Sequence, residues 1–340
     1  MTSPDARELA LNPEWIPHAF EEDTDLDFVL VPRASRSNLV FLTDGQMRGA
    51  YAKTKAPVTA VKNEASVLKD APLHFVFHSS FCCSTLLARA VEKKGTSASL
   101  SEPNILVNLA EQMIAGQSGT RERLELALQL LGRPFEPGET MIIKPSSFAN
   151  RLAEPILRLR TQSRGVLLYS DAKTFLASVV RRGLLGRINA RKLYVNLRSW
   201  SALDFGFSES EIFEQTDLQI AALSWLMQMA HFDRLFTTFG ADRLIILDAA
   251  DLLANPVTEL ERVQSFFGLG FRHEEVEAIV SGPVFSRHSK DRGRDYGQKA
   301  REEDHNALLK AHSDELEMVL KWLSAVAGHL GVPMNPGSQP

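Results

Sequence analysis

Cysteine is almost absent from this chain. Two occur in 340 residues, and they are neighbours, Cys82 and Cys83. Adjacent cysteines rarely pair with each other, so a disulfide framework is excluded and a reducing, cytoplasmic setting is expected. No second group of Cys and His stands at ligand spacing, so no metal site is expected. No apolar run approaches the ~20 residues that cross a bilayer. No basic segment followed by an apolar run opens the chain, so neither membrane association nor a secretory signal is expected. Excess positive charge is missing too. Lys and Arg number 38 against 42 Asp and Glu, a net charge of −4, which removes the overall field that nucleic-acid binding would need. Glycine is missing from residues 73–91, and so is the Walker pattern of glycines, lysine and hydroxyl.

What is present is globular composition, 44% hydrophobic and 24% charged. The length suits one large α/β domain or two smaller ones. The stretch 73–91 organises the rest. Residues 73–77, Leu-His-Phe-Val-Phe, read as a buried strand. Residues 86–91, Leu-Leu-Ala-Arg-Ala-Val, read as a helix. Between them lie His78, Ser79, Ser80, Phe81, Cys82, Cys83, Ser84 and Thr85. A strand that enters a helix through a short turn aims several backbone N–H groups at one point, and the helix N-terminus adds partial positive charge. That is a recipe for holding phosphate or sulfate. Ser84 and Thr85 can add hydroxyl donors.

Residues 1–25 read as a polar, acidic arm, loosely ordered or docked on the body. Residues 28–31 and 39–42 read as two strands of a hairpin joined by 32–38. Further strands are expected at 98–100, 141–145, 165–169 and 243–247, and helices at 105–113, 121–131, 150–159, 212–239, 256–267 and 302–327. The division that follows is an N-terminal arm with a small β-hairpin extension over 1–70, an α/β domain over 71–335 and a tail over 336–340. Strands alternating with helices imply an α/β three-layer sandwich with a mostly parallel central sheet. Ligands of such sheets sit beyond the carboxyl ends of the strands. The turn 78–85, Glu102, Lys144 and the stretch 170–178 all fall there.

Four segments carry a resemblance. They are 81–87 (Phe-Cys-Cys-Ser-Thr-Leu-Leu), 170–178 (Ser-Asp-Ala-Lys, then Ser178), 247–269 (with Asp251-Leu-Leu-Ala-Asn-Pro256 and Phe266-Phe-Gly-Leu269) and the basic loop 287–294. Together they resemble sulfotransferases that use 3'-phosphoadenosine 5'-phosphosulfate (PAPS), which have a P-loop NTPase-like fold. The resemblance implies that Ser80, Phe81, Cys82, Cys83, Ser84 and Thr85 cradle the 5'-phosphosulfate. It implies that Lys173 and Ser178, with Arg287 and Lys290 from the basic loop, meet the rest of the donor. Phe81 stands where the family has a basic residue, Cys83 where it has glycine, and Ser170 where it has an arginine. Lys144 and Lys173 are expected to supply the missing charge. Glu102 is the candidate base, His78 a second acid or base, and His288 a further residue of the basic loop. The implied activity is sulfuryl transfer from PAPS, without a metal, to a hydroxyl or amine of a small molecule or peptide. A P-loop nucleotide-dependent kinase and a non-catalytic binding protein of the same fold are the alternatives.

Overall fold

The computed structural model describes residues 4–21, 24–36, 39–47, 51–286 and 310–337. A small antiparallel sheet contains β1 (Trp15–Glu21), β2 (Asp25–Leu30) and β3 (Lys53–Pro57) in that order. The expected hairpin is therefore displaced. Residues 28–31 overlap β2, but its partner lies upstream, and residues 39–42 form no strand. Pro17 concealed β1, because proline reads as a strand breaker. It is tolerated here at an irregularity between Pro17 and Ala19, where the ladder skips a residue. The stretch read as an arm also holds the helix Ala6–Leu11 and buries Leu9, Ala10, Trp15 and Ile16.

The second sheet is a five-stranded parallel sheet flanked by helices, as the alternation of elements implied. Its strands are β4 (Leu73–His78), β5 (Ser97–Ser101), β6 (Thr140–Lys144), β7 (Gly165–Tyr169) and β8 (Leu244–Asp248), in the order β5-β6-β4-β7-β8. The backbone bonds Phe75 N–H to Arg164 O and Ser79 N–H to Leu168 O keep a constant offset, as parallel pairing requires. The chain leaves β4 toward one edge and later crosses to the other, so its direction reverses at β4. Every residue of β4 is buried, which suits its apolar Leu73, Phe75, Val76 and Phe77 and requires partners for His74 and His78. The single helix expected over 212–239 is two, Glu209–Glu214 and Asp217–Phe239. Thr216 starts the second with a capping box shared with Gln219, and this resets the backbone.

Chain contacts divide the molecule into two compact units. The first comprises Met1–His78, Ser84–Val166 and Leu252–Lys290, and the second Ser79–Cys83, Leu167–Asp251 and Asp291–Pro340.

In the first unit the buried His74 stacks on Phe267 at 5.0 Å, and its Nδ1 accepts the Arg164 N–H at 3.1 Å. Burial, followed by the Arg164 cation, pushes its pKa from 6.5 down to about 4. A histidine kept neutral in the fold lets the unfolded chain bind the extra proton between those values, so stability falls as pH drops through that window. In His74→Gln, urea melts between pH 7 and pH 4 should lose less stability than the parent does, by up to about 3 kcal/mol. Equal losses would show that His74 does not carry this acid sensitivity.

Candidate active site

Three adjacent strands of the first unit deliver three polar side chains to one place. His78 is the last residue of β4 and Lys144 the last of β6, while Glu102 follows β5 directly. Because β6 lies between β5 and β4, Lys144 stands between the other two. Its Nζ donates to Glu102 Oε1 at 2.6 Å and lies 3.5 Å from His78 Nε2, which is 3.9 Å from the same carboxylate oxygen. Lys144 is wholly buried and Glu102 is half-buried.

A buried ammonium costs several kcal/mol unless it is paired and hydrogen-bonded. Glu102 supplies the opposite charge, and the Phe41 ring offers its π face 5.0 Å from Nζ. Residues 39–42, expected as a strand, instead bring Phe41 to this position. Leu42 N–H donates to Ser101 O, and Leu42 O accepts from Asn104 N–H. Glu102 is itself turned into position by a left-handed backbone, φ +53°, with its N–H on Lys144 O at 2.6 Å. A non-glycine residue pays about 1 kcal/mol or more for that conformation. Asn150 anchors the third side chain by donating to His78 O at 3.1 Å.

Ser79–Cys83 belongs to the second unit. Ser80, Phe81 and Cys83 all have positive φ, at 69°, 52° and 60°. The residue standing where the resemblance calls for glycine thus adopts glycine's conformation. Three left-handed residues in four bend the chain sharply after β4, a conformation that costs a non-glycine residue about 1 kcal/mol or more. Cys82 is buried, with Sγ donating to Leu168 O, and Cys83 is half-buried. Phe81 packs edge-on against Phe175, and the Arg182 guanidinium lies 5.2 Å from the Phe81 ring centre. Arg182 therefore brings positive charge to the position where Phe81 has none of its own. Ser178 is buried and accepts from Arg181 at 2.7 Å. Lys173 is exposed on the same helix, Ala172–Arg181. Ser84 and Thr85, in the first unit, begin the helix Ser84–Ala90 with both side chains buried.

No protein-family model matches the chain, and no curated protein matches it. Solved structures do resemble it. The sulfotransferase domain from the curacin biosynthetic pathway is 14% identical over 72% of this chain and 99% of its own, with a TM-score of 0.43. The sulfotransferase domain of the Synechococcus PCC 7002 olefin synthase is 14% identical over 72% and 95%, with a TM-score of 0.40. A sulfotransferase from Alicyclobacillus acidocaldarius is 12% identical over 74% and 96%, with a TM-score of 0.37. All three are sulfotransferases.

Other residues at the strand ends have defined partners. Asp248, the last residue of β8, accepts the Ala250 N–H and pairs with the Tyr169 hydroxyl. Burial and then Asp248 hold that phenol well above its ordinary pKa. Arg287, His288 and Lys290 lie outside the described residues. Two supporting residues carry no sequence signal. On the helix Asp217–Phe239, Trp225 Nε1 donates to Ser170 O at 2.8 Å and Gln228 Nε2 to Ser79 O at 3.2 Å. One turn of helix thereby braces the backbone at the ends of two strands. Trp225 reads from sequence as a core residue, and only its indole N–H distinguishes it. Among the described residues no group of three or more His, Cys, Asp or Glu could hold a metal ion. No helix is long and apolar enough to cross a membrane among them.

Proposed function

We propose that this chain is a sulfotransferase that moves a sulfuryl group from PAPS to a hydroxyl or amine of a small molecule or peptide. The observation that carries the reading is the wholly buried Lys144 held between Glu102 and His78 at three strand ends. Sulfuryl transfer spreads negative charge over the oxygens of the moving group, so catalysis is mostly positioning and electrostatic stabilisation. The residues present fit such a donor. The resemblance implies that the turn Ser80–Cys83 holds the phosphosulfate, and Ser178 with Arg181 suits the 3'-phosphate. The buried Ser170 Oγ has no hydrogen-bond partner and would find one in the nucleotide.

The donor supplies an activated sulfuryl group, whose bond to phosphate breaks as the bond to the acceptor forms. Lys144 places its ammonium against the charge that develops. Glu102 takes the proton that leaves the acceptor oxygen or nitrogen, and His78 orients the pair through Nε2.

Thermal denaturation with ligands tests the donor. 3'-Phosphoadenosine 5'-phosphate should raise the melting temperature by several degrees at ~100 times its Kd, as mass action requires. ATP with Mg²⁺ should not. Stabilisation by ATP alone would support a kinase, and stabilisation by neither would point to a non-catalytic binding protein.

A further inference from the structure

We propose that a cavity in the first unit, beside the helix Asn104–Ile114, binds a hydrophilic organic amine whose ammonium group is received by Glu111 and Gln112. The cavity measures about 610 Å³ and is lined by Phe20, Asn108, Glu111, Gln112, Gln117 and Ser118 among others. That volume lies within the range of small-molecule sites. Asn108, Glu111 and Gln112 recur at helical spacing and share one face. The wall is built rather than incidental. Asn108 Oδ1 accepts both the Phe20 N–H at 3.0 Å and Gln112 Nε2 at 3.2 Å, which ties β1 to the helix and sets the Gln112 amide. Gln112 is nine-tenths buried, yet its Oε1 has no hydrogen-bond partner. A buried acceptor without a donor costs about 1–3 kcal/mol and calls for a ligand that donates.

The charge points the same way. Glu111 can only accept, and no Lys, Arg or His is among the lining residues. Next to Phe20, the end of the β1–β2 hairpin gathers Glu21, Asp25 and Asp27. Lys55 pairs there with Glu21 at 3.1 Å and with Asp25 at 3.5 Å. Behind the wall the Arg123 guanidinium donates to Ser118 O at 2.7 Å and to Thr120 Oγ1 at 3.3 Å, which leaves Glu111 as the charged group of the lining itself. The remaining lining groups, two side-chain amides and the Ser118 hydroxyl, suit hydroxyls on the ligand. An amine that also carries hydroxyls, such as an amino sugar, satisfies the whole lining.

Saturation-transfer NMR on the full chain, with glucosamine and glucose at equal concentration, tests this. The two sugars differ in charge at one carbon. Glucosamine should give signal and glucose little or none. Glu111→Gln and Gln112→Leu should each weaken glucosamine binding by about fivefold or more, the scale of one partly exposed charge-assisted contact. Glu111 is exposed, so its variant should keep the parent's melting temperature. Binding should persist in Lys144→Met, which separates this site from sulfuryl transfer. Equal signal from the two sugars, no signal from either, or unchanged affinity in both lining variants would overturn the proposal.

Discussion

Lys144→Met should reduce sulfuryl transfer by about a hundredfold or more, the scale on which single preorganised donors act in transition states. The same variant should lose the melting shift given by 3'-phosphoadenosine 5'-phosphate. Methionine keeps much of the lysine's length and apolar stem, so the packing around the wholly buried side chain is largely retained. What disappears is the ammonium 2.6 Å from Glu102 Oε1. A structural lysine would behave differently, since its loss would lower the melting temperature and leave the nucleotide shift intact. For the melting shift alone, pairing the change with Glu102→Gln gives a control that buries no unpaired carboxylate; activity is read in the single variant, because Glu102 is itself the proposed base. Full activity in Lys144→Met would remove this residue from the chemistry.

The largest loss of stability should come from Arg133→Met, at about 3–5 kcal/mol in urea unfolding. Arg133 is buried, and burial pushes its pKa down to about 9, so it remains a cation at neutral pH. No carboxylate is among its hydrogen-bond partners. Nε donates to Leu130 O, Nη1 to the carbonyls of Leu9, Ala10 and Asn12, and Nη2 to Trp15 O. Four of these five acceptors lie between the end of the helix Ala6–Leu11 and the start of β1. Without the guanidinium Asn12 O would keep the Trp15 N–H, while the other carbonyls would lose this donor in a dehydrated interior. Arg133→Lys should not rescue the fold, because three donors on a flexible stem cannot span carbonyls that a planar fork spans. A loss under about 1 kcal/mol would show that water replaces the fork at little cost.

Arg133 also marks where reading the sequence stops. Strands β4, β6, β7 and β8 are legible because each is a short apolar run bounded by polar or turn residues. Lys144 is legible as a candidate because it ends such a run, and ends of parallel strands are where ligands sit. By contrast, β1 was hidden by Pro17, and its partner was misassigned because alternation identifies a strand without naming its neighbour. Phe41 reaches Lys144 only through backbone bonds from Leu42 to residues 101 and 104. Gln228 reaches Ser79 across 149 positions, and Arg133 reaches Leu9 across 124. No local period encodes pairs so far apart.

The sequence by itself determined the parallel α/β class, the positions of the central strands and the hydroxyl-rich turn after β4. Each of these follows from side-chain periodicity and backbone preference within ten or so residues. Tertiary structure alone decided that β6 lies between β5 and β4, and hence that Lys144 meets both Glu102 and His78. Strand order is set by which backbone edges find partners and which apolar faces can be covered together, so it is a property of the whole chain.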